Sequence, residues 1–249
     1  MRYRDVLESF RDAGAASVQE LAARAGISRP TMYRLLSGAV PRADDLEELA
    51  LATGWDLDIS LRPLSDPLAA VAVRVLLGDE ASLPWAAESE PWQERLRRFV
   101  AARPNSDRDI ALVDEAGRAT APVRRPGVHR LRGDDWSIDR LVSAGRASGR
   151  RWALSGWAAL DGLGIDAHAP TIMWVEDARA VGQLLHDSFR STRSDDADLI
   201  VVPAHESVFA GTTTVSDVEL VAPLQAFIDT AGLGGDARDQ VLAHLERVR

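Results

Sequence analysis

The residues best suited to chemistry in this chain are arginines and short polar side chains on a stretch without acids. From Ser28 to Arg42 there are three arginines and no aspartate or glutamate. A guanidinium donates paired hydrogen bonds to the O6 and N7 atoms of guanine, and a good pair gives about 1–3 kcal/mol of discrimination against the wrong base. Arg29 and Arg34 are suited to such contacts and equally to contacts with phosphates, and Thr31 is suited to a thymine methyl. This stretch predicts recognition of base edges in double-stranded DNA.

Such a face functions only if two short helices and a tight turn hold it in place. Ser17 is a predicted helix N-cap, and Glu20 follows it at the spacing of a capping box. The first helix carries the small residue Ala22 where two crossing helices would touch. Gly26 then accepts the positive φ that a tight turn requires. The pattern predicts a first helix that ends in a sharp turn.

The second helix is predicted to begin at Ser28 and to end at Ser37. Pro30 lies in its first turn, where a missing N–H costs little. Met32 and Leu35 recur at helical spacing and therefore face a core. The opposite face carries Ser28, Arg29, Thr31, Tyr33 and Arg34. An ordinary amphipathic hairpin is the alternative, but a polar face with arginines and no acid favours DNA binding.

The run Ser17–Gly38 resembles the helix-turn-helix of Cro/repressor-type (XRE-like) regulators, and the resemblance extends over about the first 60 residues. It implies a transcriptional regulator whose partner is double-stranded DNA. Ser17 and Gln19 stand at a helix N-terminus, which suits a phosphate. Such modules usually bind as dimers to half-sites about 34 Å apart, so we expect a homodimer and an inverted-repeat operator. The predicted DNA-contacting residues are Ser17, Gln19, Ser28, Arg29, Thr31, Tyr33, Arg34 and Ser37.

The rest of the chain predicts an α+β domain that follows an all-α headpiece. Within Asp56–Arg62, the apolar residues Leu57, Ile59 and Leu61 alternate with polar ones, which is the pattern of a short strand. The predicted domains are 1–65, the helix-turn-helix domain; 66–151, connecting helices and a basic segment; and 152–249, a second α+β domain.

The middle segment concentrates positive charge, because residues 92–151 contain 14 arginines and 8 acids. Within it, Ile110–Arg132 indicates short strands or a small winged element, with turns at residues 115–117 and 125–127. The last part of this stretch could be a basic hairpin that contacts DNA phosphates or a second subunit, and a solvated surface is the alternative. The arginines concerned are Arg124, Arg125, Arg130 and Arg132.

Two stretches of the third segment carry a second resemblance. The first is Ser155–Leu160, in a predicted helix at 152–163 that precedes a buried strand at Thr171–Val175. The second begins at Ala222-Pro223-Leu224-Gln225, continues through Asp229 and ends in a final helix after a glycine-rich joint. Both resemble the C-terminal domain of AbiEi-type antitoxins, which is related in shape to minimal nucleotidyltransferases. This resemblance implies a degenerate nucleotidyltransferase-like domain and a cognate toxin as partner, although the family's usual N-terminal element is a winged helix.

Nucleotidyltransferase chemistry needs carboxylates that hold Mg²⁺ around the reacting phosphates. Two such carboxylates would stand one residue apart on a strand, because alternate residues share a face. Thr171–Val175 contains no carboxylate, while Glu176 and Asp177 are adjacent and point different ways. The five histidines are too scattered for a local metal-ligand motif. We therefore expect no catalytic residue, no metal, no cofactor and no enzymatic activity.

The composition limits the compartment and the partners. The chain has 249 residues, a net charge of −9 and no cysteine, and all 29 of its basic residues are arginine. Residues 152–249 contain 6 arginines and 15 acids, so the acidity lies mainly in the third segment and does not exclude a DNA-binding surface elsewhere. The first residues contain no apolar signal-peptide core, and no apolar run is long enough for a membrane helix. We expect a cytoplasmic protein without a membrane partner.

Three functions are compatible with these patterns. The leading one is a non-enzymatic, dimeric, sequence-specific transcriptional regulator, expected to be a repressor, whose C-terminal domain dimerises or senses a signal. The second is the antitoxin of an AbiE-like pair that regulates its own operon. The third, which the missing carboxylates disfavour, is a metal-dependent nucleotidyltransferase with a DNA-binding headpiece.

Overall fold

The computed structural model of the chain describes residues 3–14, 17–193 and 196–248. The chain divides into two compact units, Met1–Arg62 and Pro63–Arg249. None of the described helices has the length and apolar content that a transmembrane span requires.

Within its described residues, the first unit is built from four short helices around one apolar core. Leu7, Phe10, Leu21, Met32 and Leu49 are buried in this core, at most 6% exposed. Each helix contributes apolar residues from one face, as amphipathic spacing requires. The helices are α1 (Tyr3–Gly14), α2 (Val18–Arg24), α3 (Arg29–Leu36) and α4 (Ala43–Ala52).

The second unit combines a mixed sheet with helices. Its described helices are α5 (Pro67–Leu76), α6 (Glu90–Val100), α7 (Arg108–Thr120), α8 (Ile138–Ala147), α9 (Trp157–Gly162), α10 (Ala178–Leu185), α11 (Pro223–Ala231) and α12 (Gly235–Arg247). Its described strands are β1 (His129–Arg132), β2 (Trp152–Gly156), β3 (Thr171–Val175), β4 (Arg190–Ser191), β5 (Leu199–Pro203), β6 (Thr213–Val215) and β7 (Val218–Leu220).

The seven described strands form one sheet in the order β4-β1-β5-β3-β2-β7-β6. The pairs β3–β5 and β2–β7 are parallel, and the remaining neighbours are antiparallel. The strand predicted at Thr171–Val175 is confirmed as β3, a central strand with all five residues buried. The α+β class and the helical headpiece are therefore confirmed.

A buried chain of hydrogen bonds joins the helices of the second unit to its sheet. The carboxylate of Asp229 on α11 accepts hydrogen bonds from Ser155 Oγ of β2 and Trp174 Nε1 of β3, both at 2.7 Å. It also accepts one at 2.8 Å from Gln225 Nε2, one turn earlier on α11. Gln225 Oε1 in turn accepts from Arg74 Nη1 of α5 at 3.4 Å. Asp229 is fully buried and depends on these donors, whereas the fully buried Arg74 also donates to Asp79 and to the carbonyls of Ser207 and Ala210.

The predicted winged element between the domains is wrong, because residues 108–120 form the helix α7. Its buried residues Leu112, Ala116 and Ala119 recur at helical spacing. From the sequence, Gly117 is expected to form a turn, but it lies within α7 and permits close helix packing. A Cβ atom at Gly117 would lie 2.8 Å from the backbone nitrogen of Gly232, so the glycine allows α7 to approach the end of α11 closely.

The helix predicted over residues 152–163 is correct only in its second half. Residues 152–156 form β2, and α9 begins at Trp157. All five residues of β2 are buried, and a short continuous apolar run does not distinguish a buried strand from a helix. Gly156 has a φ of +65°, and a Cβ there would collide with the carbonyl oxygen of Pro170, so only glycine fits between strand and helix.

The strand predicted at Asp56–Arg62 is also absent from the structure. Within the part of the chain that the structure describes, these residues belong to no helix or strand and form no backbone hydrogen bond. Leu57 packs against the core of the first unit, but Ile59 and Leu61 are 66% and 98% exposed. The alternating pattern is present without the neighbouring strand that it requires.

Two helical glycines test the packing of α7 on α11. Gly117→Ala should lower the free energy of unfolding by about 1–3 kcal/mol, because the new methyl group overpacks the contact with Ala231 and Gly232. Gly182→Ala on α10 is the matched control, since the nearest atom to its Cβ would lie 3.9 Å away in His129. It should be neutral or stabilising by up to about 1 kcal/mol. Equal effects of the two variants in urea unfolding would contradict the close contact.

Asp229 should give stability a characteristic pH dependence. Burial raises its pKa from 3.8 to about 6, although hydrogen bonds from Ser155, Trp174 and Gln225 oppose that shift. Between these values the folded chain keeps a proton that the unfolded chain has released, so the contribution of this carboxyl to stability falls as the pH rises. Asp229→Asn cannot titrate, so the unfolding free energy of the wild type relative to this variant should fall by up to about 3 kcal/mol from pH ~4 to ~6. Urea unfolding at closely spaced pH values measures this difference, and a constant difference would refute the assignment.

Candidate nucleic-acid interface

The helix α2 and the turn after it have the local geometry that the sequence predicts. Ser17 is the N-cap of α2, and its Oγ accepts a hydrogen bond from the backbone nitrogen of Glu20 at 3.2 Å. Ala22 is buried, and its carbonyl accepts from the nitrogen of Ile27 at 2.9 Å across the turn. Gly26 adopts a φ of +65° between them. The chain therefore reverses tightly enough for α3 to cross α2.

The helix α3 is fixed at its start and along one face. Ser28 is its N-cap, and Ser28 Oγ accepts from the backbone nitrogen of Thr31 at 3.3 Å. Pro30 occupies the first turn, where no intrahelical N–H is lost. Met32 and Leu35 are 1% and 3% exposed. The burial of these two side chains determines which face of α3 remains in solvent.

That outer face presents the predicted base-contacting residues. Arg29, Tyr33 and Arg34 are exposed, and Tyr33 is 60% accessible. Among the described residues, neither Arg29 nor Arg34 has a partner in an ion pair or a side-chain hydrogen bond. Both guanidinium groups are therefore available to a ligand, and no acid lies between Ser28 and Arg42 to compete for them.

The smaller polar residues of the predicted set already have partners within the unit. Thr31 is half-buried, and its Oγ1 lies 2.9 Å from Ser28 Oγ. Ser37 Oγ donates to the carbonyl of Tyr33 at 2.8 Å. Gln19 is exposed, and it lines a surface hollow of about 390 Å³ together with Ser17 and Arg29. The structure thus brings the start of α2 and the start of α3 to one surface.

Arg42 is an exposed cation of the first unit that the predicted set leaves out. It precedes α4 and forms an ion pair with Asp44, with 3.5 Å between Nη2 and Oδ2. Both side chains are 81% exposed, so the pair is weak and the arginine can exchange its partner. The absence of acids from Ser28 to Arg42 was the sequence signal for it.

The basic segment of the second unit does not form the predicted hairpin. Residues 122–124 form a short 3₁₀ turn, and β1 pairs with β5 and β4, which come about 60 residues later in the chain. Arg125 is half-buried, and its guanidinium lies 5.5 Å from the centre of the Trp174 ring. Burial lowers the pKa of Arg125, and the charges of Asp229 and Asp66 oppose that shift. Its side chain therefore belongs to the packing of its own sheet.

The other three arginines of this segment differ in their exposure. Arg130 is half-buried and donates from Nη2 to the carbonyl of Val123 at 3.4 Å. Arg124 is exposed, as is Arg132, which forms an ion pair with Asp196 at 3.7 Å. An accessory contact to DNA or to a second subunit stays a prediction for these residues, with Arg124 and Arg132 the accessible ones.

The two carboxylates that follow β3 have structural partners. Glu176 Oε1 accepts from Arg151 Nε at 2.6 Å, and Asp177 Oδ1 accepts from the backbone nitrogen of Ala180 as the N-cap of α10. A hollow of about 750 Å³ has Trp136 and Trp157 among its lining residues. Within the described residues, no three histidine or acidic side chains are grouped closely enough to hold a metal ion.

Comparison with protein families identifies the N-terminal part of this chain. The IclR helix-turn-helix domain matches residues 2–38, which include α1, α2 and α3. The chain therefore carries a helix-turn-helix DNA-binding domain at its N-terminus, which confirms that prediction in its general form. The match is to the IclR type, so the Cro/repressor subtype stays a prediction. No curated protein and no solved structure matches the chain.

Proposed function

We propose that this protein is a sequence-specific transcriptional repressor that binds an inverted-repeat operator as a homodimer. The observation that carries the proposal is the outer face of α3. It holds Arg29 and Arg34 without partners among the described residues, while buried Met32 and Leu35 fix the orientation of the helix. A helix of this kind reads base edges from the major groove.

Within this function the predicted residues divide by their chemistry. Arg29 and Arg34 donate paired hydrogen bonds to guanine, and Tyr33 lies beside them on the exposed face. Thr31 offers a methyl group, because its hydroxyl already bonds to Ser28. The short polar side chains at helix ends make the phosphate contacts that set the register of the protein on the duplex. These are Ser17, Gln19, Ser28 and Ser37.

The subtype and the compartment are part of the same proposal. The helix α4, which follows the matched segment, packs its buried residues into the core of the first unit, and this supports the Cro/repressor-type arrangement over residues 1–60. A regulator of this type acts in the compartment that holds the chromosome, which we take to be the cytoplasm.

We assign a binding role rather than catalysis to the second unit. The resemblance to AbiEi-type antitoxins rests on residues 155–160 and 222–229. Ser155 and Asp229, which belong to these stretches, bond to each other inside the fold, so the stretches support architecture rather than a reaction. The antitoxin function would add a toxin as partner, and a gene for a nucleotidyltransferase-type toxin beside this one would support it.

Arg34→Ala tests the proposed recognition. Sequencing the DNA fragments that the purified protein selects would supply the operator for a gel-shift titration. The variant should bind this operator about 5- to 150-fold more weakly, because one paired contact to guanine is lost. Its melting temperature should be unchanged, since Arg34 is exposed and has no partner in the described chain.

Arg98→Ala is the matched control for that titration. It removes the same charge from an exposed position on α6 of the second unit and should leave operator affinity within about twofold of wild type. The proposal fails if Arg34→Ala keeps both wild-type affinity and wild-type preference for the selected sequence over random DNA.

A further inference from the structure

The segment Asp56–Arg62 has the sequence pattern of a β-strand but pairs with no other strand in the described chain. Its apolar residues Leu57, Ile59 and Leu61 alternate with polar ones, so in a strand all three lie on one face. Leu57 packs on the core of the first unit and thereby attaches the segment to it. Ile59 and Leu61 are left 66% and 98% exposed.

The backbone of this segment is also without a backbone partner among the described residues. No backbone hydrogen bond joins residues 56–62 to any other described residue. Unpaired N–H and C=O groups beside exposed apolar side chains are a template for pairing with another strand. The sequence pattern and the missing hydrogen bonds therefore both indicate a partner strand outside the chain described.

The charges of the segment indicate which strand that partner is. In an antiparallel pair of two identical segments centred on Ile59, each Ile59 stands opposite the other. Leu57 then stands opposite Leu61, and Asp56 opposite Arg62, so apolar residues share one face and opposite charges meet at both ends. Asp58 stands opposite Ser60. The segment is thus complementary to itself.

Other arrangements of two identical segments are less favourable. A parallel pair sets Asp56 and Asp58 each opposite its own copy, where like charges repel. Moving the antiparallel register by two residues in one direction brings two Asp58 residues together. Moving it in the other direction leaves Leu57 opposite Pro63, which has no N–H to donate. Only the register centred on Ile59 pairs all seven residues of 56–62 without a clash of charge.

We propose that residues 56–62 of two copies of this protein pair as an antiparallel two-stranded ribbon with its two-fold axis at Ile59. The proposal rests on the homodimer of the proposed function and names the surface that forms it. An isologous contact of this kind relates the two DNA-binding units by a two-fold axis. The same symmetry is required by an inverted-repeat operator.

A single introduced cysteine tests the register in the full chain, which has no cysteine of its own. Residues directly opposite in an antiparallel pair have Cα atoms roughly 4.5–5.5 Å apart, within the range of Cα separations that a disulfide spans. Ile59→Cys should therefore give a covalent dimer on mild oxidation. Leu61→Cys is the matched control, because its two copies would lie roughly 13 Å apart along the ribbon and should not crosslink.

Crosslinking and sedimentation are both measured without DNA. They therefore test the ribbon and the homodimer independently of DNA binding. Equal crosslinking of both cysteine variants, or none by Ile59→Cys in a chain that sediments as a dimer, overturns the ribbon and leaves the homodimer standing. A wild-type chain that sediments as a monomer overturns both. In either case the DNA contacts of α3 are judged separately by Arg34→Ala.

Exchange of the terminal charges tests the same pairing without cysteine. Arg62→Asp sets two carboxylates opposite each other at both ends of the ribbon, and we expect the dimer dissociation constant to rise about tenfold. The double variant Asp56→Arg/Arg62→Asp restores opposite charges and should return the constant to within about twofold of wild type. Sedimentation equilibrium measures all three proteins. A double variant as weak as Arg62→Asp would refute the pairing of residue 56 with residue 62.

Discussion

The second unit depends on one buried carboxylate. Asp229 on α11 accepts hydrogen bonds from β2, from β3 and from its own helix, so a single side chain joins the helical layer to the centre of the sheet. A buried charge is tolerated only when such donors surround it. The fully buried Arg74 extends the same bonding to α5 through Gln225. The position of α11 on the sheet is therefore specified by polar contacts as well as by apolar packing.

The first unit differs, because the orientation of the outer face of α3 is determined by local contacts. The caps at Ser17 and Ser28, the positive φ of Gly26 and the burial of Met32 all involve partners within a few residues or the adjacent helix. Local geometry of this kind can be predicted from one sequence. The helix-turn-helix was consequently predictable, and the family comparison agrees with it over residues 2–38.

Where the sequence misled, the deciding contact lay far along the chain. In the sequence, a glycine at position 117 is equally compatible with a turn and with close helix packing. The proximity of the Gly232 backbone shows that it serves close packing. The apolar run at 152–156 becomes a strand because β3 and β7 flank it. Arg125 is half-buried beside the ring of Trp174, which lies almost 50 residues later in the chain. Sequence patterns specify the faces of an element, whereas its partners are specified by the whole fold.

The segment 56–62 is the opposite case. Its local sequence pattern clearly indicates a strand, but the described chain contains no partner strand for it. An alternating strand pattern has a physical purpose only if a neighbouring strand satisfies the backbone and covers the apolar face. Ile59 and Leu61 remain exposed in the chain described, so the pattern would be a liability in a monomer. In the symmetric pair proposed above, a second copy of the segment would cover these side chains, and Asp56 of one copy would stand opposite Arg62 of the other. Under this proposal, two short self-complementary segments would set the two-fold symmetry of the DNA-binding units.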